Sequence, residues 1–154
     1  MDTETTGLNE MRADLVGVSL CVQAGEAAYL PLAHRAGQSD DLFGTDALAE
    51  GQMDQKTALA MLKPMLEDST ILKIGQNMKY DAKILARVGI QVAPIDDTML
   101  MSYAQNGGLH NHGMDLLSER YLDHAPISIK TLLGSGKSAI TFDRVRIDEA
   151  SRYA

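Results

Sequence analysis

The chain is short of cysteine, of basic charge and of long apolar runs. Cys21 is the only cysteine among 154 residues, which excludes an intramolecular disulfide. It sits in the apolar run Val18-Ser19-Leu20-Cys21-Val22, so the expectation is a buried, inert thiol. No apolar segment approaches the ~20 residues of a membrane span. No basic segment followed by an apolar one marks a signal peptide. These absences point to a soluble, cytoplasmic chain with no membrane partner. There is no internal repeat and no low-complexity segment. Lys and Arg number 14 against 21 Asp and Glu, for a net charge of −7. Such a balance counts against simple binding of a phosphate backbone. It does not count against a metal-dependent nuclease, whose acids meet phosphate through cations.

What is present fits a globular fold. The length suits one domain, and a chain of this size buries roughly 70% of its unfolded surface. Hydrophobic residues make up 45% and charged residues 23%, a balance typical of folded chains rather than disordered ones. Two β-rich runs, 14–22 and 27–33, are joined through Gly25, which predicts a hairpin. Residues 34–52 are polar and rich in Gly and Asp, as in a long surface connection. From Asp54 to Glu67 the stripe Leu59, Leu62 and Leu66 predicts a helix, kinked near its end by Pro64. Ile71 to Ile74 predicts a short strand closed by Gly75. Met78 to Val88 predicts a second helix, with Gly89 as its left-handed cap. Asp96-Asp97 is an N-cap signal for a helix reaching about Ala104. Met114 to Leu122 predicts another, with Met114, Leu117 and Tyr121 on one face. Short helices are expected beyond Pro126, the last beginning near Asp148. Strands first, then alternation of strand and helix, give an α/β fold with a mixed sheet.

The informative residues are carboxylates. Asp2 and Glu4 lie two apart, and in extended chain both face the same way. Such a pair is tolerated when it is solvated or when it binds a cation, and hard divalent cations favour oxygen ligands. Asp81 precedes Ile84, Leu85 and Val88 by three, four and seven residues, in line with an apolar helix stripe. A charge there is costly unless paired or on a metal. The other reading of Asp81 is a partly solvated first-turn acid favoured by the helix dipole. Acids drawn together by a strand and a helix suit metal-assisted phosphoryl transfer.

These segments resemble the 3′–5′ proofreading exonuclease domain of bacterial DNA polymerase I, of the family A polymerases. Asp2-Thr3-Glu4-Thr5 resembles that family's first exonuclease motif. Gly75-Gln76-Asn77-Met78-Lys79-Tyr80-Asp81 resembles its second. Asp97-Thr98-Met99-Leu100, His112-Gly113-Met114-Asp115 and Ser151-Arg152-Tyr153-Ala154 match further segments in order, so the likeness spans essentially residues 1–154. It implies a ribonuclease H-like fold, with a mostly five-stranded mixed sheet flanked by helices. It also implies four metal-site acids and a tyrosine that orients the attacking water. Asp2, Glu4 and Asp81 match three of the acids, and Tyr153 matches the tyrosine. Asn77 and Tyr80 match positions near the bound single strand. Leu8 matches the apolar residue against the 3′-terminal base. Ile129 stands where the family often has Phe, which keeps an apolar contact and loses aromatic stacking. The implied cofactors are two divalent cations, Mg²⁺ or Mn²⁺, with Zn²⁺ a further option. The implied partners are a single-stranded DNA 3′ end and the polymerase domain of the same parent chain, in a nucleoid-associated monomer.

By the family spacing the fourth acid falls at position 157, four residues past Tyr153. The family's first strand also begins several residues before its Asp-Thr-Glu. The expectation is therefore a segment of a larger polymerase, incomplete at both ends and inactive or nearly so alone. Two other readings stand beside this one. A non-catalytic exonuclease-like module would brace a polymerase, although retention of Asp2, Glu4 and Asp81 argues against it. An RNA-trimming relative would use the same acids. Gly134-Ser135-Gly136-Lys137-Ser138 is similar to the end of a nucleotide-binding P-loop, but Thr131 stands where that pattern needs Gly. A basic loop near DNA is the better reading. His110 and His112 lack the further ligands of a zinc site and read as surface or supporting polar residues. Met61, Met65, Met99 and Met101 read as core filler.

Overall fold

The structure is a computed structural model that describes residues 1–36 and 47–154. Much of the predicted surface connection, residues 37–46, lies outside the described residues. The strands are β1 (Asp2–Thr5), β2 (Leu15–Gln23), β3 (Glu26–Pro31), β4 (Lys73–Gly75) and β5 (Ile95–Asp97). The helices are α1 (Gln55–Glu67), α2 (Met78–Arg87), α3 (Thr98–Asn106), α4 (Met114–Leu122), α5 (Ile129–Leu133) and α6 (Ile147–Tyr153). Short 3₁₀ turns at Gly136–Ser138 and Phe142–Arg144 join α5 to α6.

β1, β2 and β3 form an antiparallel ladder in that order, and β4 pairs with β5 in parallel. The two ladders meet at Met1, whose ammonium donates to the Ile74 carbonyl at 2.6 Å. Antiparallel and parallel pairing in one fold with flanking helices is the mixed α/β architecture expected.

Local chemistry sets the element ends. Asp54 caps α1 by accepting from the Thr57 amide at 2.9 Å, and Ala58, Leu62 and Leu66 form its buried stripe. Gly89 adopts φ +85°, and the Ile90 amide returns to the Leu85 carbonyl at 2.9 Å, closing α2 as left-handed caps do. Strand β4 is shorter than expected. Ile71 and Leu72 fall outside it, and Lys73 is buried with its ammonium donating to the carbonyls of Asp68 at 2.8 Å and Ala93 at 2.6 Å. The cation thus satisfies one acceptor just past the end of α1 and one just before β5. The expected inward face of α4 is not closed: Met114 and Tyr121 are exposed and no residue of α4 is buried.

Two apolar clusters hold the fold. Leu15, Val18 and Leu32 pack with Ala58, Leu62 and Leu66 of α1 and with Ile84 and Leu85 of α2. Val16 packs with Phe142, Val145 and Ala150 of the C-terminal segment, with Tyr29, Ile129 and Tyr153 against them. The expectation for Cys21 is corrected. It is exposed, with its thiol donating to the Gln23 carbonyl. The first half of β2 is buried and its last three residues are exposed. The hairpin therefore extends past the layer that covers it, and an apolar run does not stay buried beyond the elements packed on it. Among the described residues no helix is long and apolar enough to cross a membrane.

Candidate active site

Strand β1 and helix α2 bring Asp2 and Asp81 to one amide. The Thr3 N–H donates to Asp2 Oδ1 at 3.0 Å and to Asp81 Oδ1 at 2.9 Å. The Thr3 hydroxyl donates to the same Asp81 oxygen at 2.6 Å. The two readings of Asp81 both hold in part: it lies in the first turn of α2, and it is only 2% exposed. Its burial is tolerated because Thr3 supplies two donors.

Glu4 is buried as well, and among the described residues no hydrogen bond offsets the burial of its carboxyl. Burial, then the charges of Asp2 and Asp81, pushes its carboxyl up to about 8. Burial is also the main cause that raises Asp81, to about 6, with the Asp2 charge adding to it. Asp2 is raised by burial against the lowering effect of its hydrogen bonds. Two buried carboxyls, Glu4 and Asp81, and the half-buried Asp2 have no basic side chain among the causes of their shifts; the Met1 ammonium, which lowers Asp2, is the one positive charge among them, and the site carries net negative potential. That donor set suits a hard divalent cation, which takes carboxylate oxygens and offsets their repulsion. Among the described residues no three His, Cys, Asp or Glu side chains already stand as a ligating group.

Asp2, Glu4 and Tyr153 line a cavity of about 400 Å³, together with Ser19, Cys21, Asp115 and Ile127. Tyr153 ends α6 and packs against Phe142 at a ring-centroid distance of 5.9 Å. Burial, followed by the charges of Glu4, Asp2 and Asp115, pushes its phenol up to about 12. The hydroxyl therefore keeps its proton near neutral pH.

The remaining residues singled out from the sequence fall in different places. Asn77 precedes α2 in the left-handed conformation, φ 58°. Its amide donates to Asp97 Oδ1 at 3.0 Å, and the same oxygen caps α3 through the Met99 amide at 2.9 Å. Asp97 thus locks the second motif to α3. The Tyr80 hydroxyl meets Thr5 Oγ1 and the Gly7 carbonyl, each at 2.5 Å. Lys83 pairs with Glu10 at 2.7 Å. These contacts tie the β1–β2 loop to α2 and hold Leu8 on it, 96% exposed. Ile129 is not brought to the cavity: it packs on the second apolar cluster, and Ile127 lines the cavity instead.

Sequence reasoning missed Ser19, Asp115 and the pair Tyr29–His34. Asp115 lies within the matched His112-Gly113-Met114-Asp115 segment, which was the available signal. The others depend on cross-strand register, which no local motif reports.

Comparison with known proteins identifies the family. A 3′–5′ exonuclease family model matches residues 1–154. The chain is 48% identical to DNA polymerase I of Rhizobium leguminosarum and 40% identical to that of Pseudomonas aeruginosa, covering 99% of this chain in each case. It spans 16% of the length of either relative. Among solved structures, Brucella melitensis NrnC superposes with a TM-score of 0.67 at 23% identity, over 99% of this chain and 63% of that one. NrnC with bound Mg²⁺ gives a TM-score of 0.60 at 26% identity, over 90% of this chain and 56% of that one. The whole-length family match and the curated relatives together make the chain a member of the 3′–5′ exonuclease family found in DNA polymerase I.

Proposed function

We propose that residues 1–154 are the proofreading domain of a DNA polymerase I. The reaction is hydrolysis of the 3′-terminal phosphodiester of single-stranded or frayed DNA, releasing a nucleoside monophosphate. The observation that carries this reading is the Thr3 amide shared between the Asp2 and Asp81 carboxyls, with Glu4 buried beside them. Asp2, Glu4 and Asp81 would hold two divalent cations, Mg²⁺ or Mn²⁺ with Zn²⁺ a further option. Cations bound there would supply a nucleophile near neutral pH and charge stabilisation for the leaving group. The NrnC structure with bound Mg²⁺ supports a divalent ion in this fold.

The chain's own groups do the positioning. Tyr153, protonated at neutral pH, holds the attacking water by hydrogen bonding from the end of α6. Asn77 and Tyr80 run beside the single strand. Exposed Leu8 packs on the terminal base, a contact worth roughly 1–3 kcal/mol where a base stacks on an aromatic and less on an aliphatic side chain. Ile129 enters this reading by family match alone, since Ile127 is the isoleucine on the cavity. A frayed end is favoured because a mispaired base costs least to unpair. The partners are the single-stranded 3′ end and the polymerase domain of the parent chain, which acts as a monomer at the bacterial nucleoid.

The test is Asp81→Ala in the parent polymerase, assayed on a 3′-mismatched primer. Loss of metal-dependent excision is expected, and an unchanged rate would falsify the reading. Single-stranded DNA and RNA of one sequence, assayed side by side, separate proofreading from RNA trimming. Excision confined to RNA overturns the DNA assignment.

A further inference from the structure

The Ser19 hydroxyl has no hydrogen-bond partner although it is buried. Buried hydroxyls are nearly always satisfied, so an exception calls for an explanation. Ser19 stands directly across the ladder from Asp2, as its Cα partner. Directly opposed residues project from the same face, with Cβ atoms ~4.5–5.5 Å apart. One rotation about χ1 therefore aims Ser19 Oγ at the Asp2 carboxyl. Both residues line the same 400 Å³ cavity.

The neighbour on the other side of the row makes no hydrogen bond to Ser19. Tyr29 is its Cα partner on β3, but the Tyr29 hydroxyl is committed to His34 Nε2 at 2.6 Å. His34 Nδ1 lies 2.8 Å from the Val145 carbonyl. A carbonyl only accepts, so Nδ1 carries the proton, and Nε2 of the neutral ring accepts from Tyr29. Of the two side chains flanking Ser19 on this row, Asp2 is the one that lines the cavity with it, and its carboxyl is the stronger acceptor.

We propose that Ser19 is a positioning residue of the exonuclease site. Its hydroxyl donates to the Asp2 carboxylate and holds the carboxylate's other oxygen toward a bound cation. Partners of this kind orient metal-ligating carboxylates and typically change metal affinity or activity by ~10–100-fold when removed. The inference rests on the reading of Asp2 as a cation ligand. It goes beyond that reading by assigning a role to a neutral strand residue outside the exonuclease motifs.

The experiment uses the full-length parent polymerase and its Ser19→Ala, Ser19→Thr, Asp2→Ala and Ser19→Ala/Asp2→Ala variants. Mn²⁺ binding is measured by calorimetric titration, with Asp2→Ala defining what binds elsewhere in the chain. Excision of a single-stranded oligonucleotide gives kcat and KM, and melting in chelator gives the metal-free Tm. In Ser19→Ala, site affinity for Mn²⁺ and kcat should each fall about tenfold, while KM and the metal-free Tm hold or the Tm rises. Ser19→Thr should restore both affinity and kcat. On the Asp2→Ala background, Ser19→Ala should change Mn²⁺ binding no further. Wild-type affinity and kcat in Ser19→Ala overturn the proposal. So does a loss shared by Ser19→Thr or accompanied by a lowered Tm, which marks a packing defect. An Asp2→Ala variant with undiminished Mn²⁺ binding and excision overturns instead the reading of Asp2 on which the proposal stands.

Discussion

The Tyr29 hydroxyl lies over Gly17 and donates to His34 Nε2 at 2.6 Å. A Cβ at position 17 would occupy the space of that hydroxyl and of the ring atoms beside it. His34 is fully buried, held neutral by burial, and reaches the Val145 carbonyl through Nδ1. Its ring packs on Phe142, and Phe142 packs on Tyr153, with centroids 5.8 and 5.9 Å apart. Hairpin, C-terminal segment and Tyr153 are thus braced through one tyrosine–histidine pair. Gly17→Ala should displace Tyr29, combine overpacking with a lost buried hydrogen bond, and destabilise by about 2–4 kcal/mol. Urea denaturation of this chain checks it. A shift under 1 kcal/mol would show that Tyr29 relocates without cost.

Much of this fold is legible locally. Asp54, Gly89 and Asp97 announce their helix ends because a cap needs only the three or four residues beside it. The three acids are legible through two short motifs, each confined to one element. The brace is not, because His34 and Val145 are 111 residues apart in sequence. Nor is Ser19, whose meaning depends on standing opposite Asp2 in the ladder. Cys21 misleads because hydrophobic pattern does not report how far a hairpin outruns its cover.

The proposed function gives Asp81 a role in the site that is separable from its observed contacts with Thr3. Asparagine keeps a side-chain carbonyl that can accept from both Thr3 donors, whereas alanine leaves the buried Thr3 amide and hydroxyl without that acceptor. Asp81→Ala should lose about 1–3 kcal/mol of metal-free stability by orphaning those donors. Asp81→Asn should stay within about 1 kcal/mol of the native chain, since a neutral acceptor suits a buried site. In the parent polymerase both should lose exonuclease activity by on the order of 100-fold or more, as removal of a metal-ligating charge implies. Denaturation in chelator and excision of an end-labelled oligonucleotide measure the two roles. Equal stability of the two variants would show that the Thr3 contacts contribute nothing.

Cys21 is exposed on the projecting end of β2 and lines the carboxylate cavity. The native chain should take up one equivalent of a small alkylating reagent without denaturant, as mass spectrometry can count. Labelling should leave the melting temperature within about 2 °C, because adding a group at an exposed position removes no packing. A thiol that reacts only after unfolding would return Cys21 to the buried state expected of its apolar run.

The carboxyl cluster sets a pH dependence with a definite sign. Glu4 is raised from 4.5 to about 8 and Asp81 from 3.8 to about 6. Between the ordinary and the raised value the folded chain binds more protons than the unfolded one, so stability falls as pH rises. The contribution is fully present below about pH 4. It is lost through about 6 for Asp81 and about 8 for Glu4. In chelator the melting temperature should therefore fall between pH 5 and pH 8, by an amount reflecting a few kcal/mol. Mg²⁺ or Mn²⁺ should oppose the fall, because a cation that binds only the folded carboxylates stabilises by mass action. The stabilisation should grow with pH as the carboxyls ionise. Melting curves at three pH values, with and without Mn²⁺, decide the matter. A metal-free stability that rises from pH 5 to pH 8, or a Mn²⁺ effect equal at all three, would mean that these three carboxyls do not share one field.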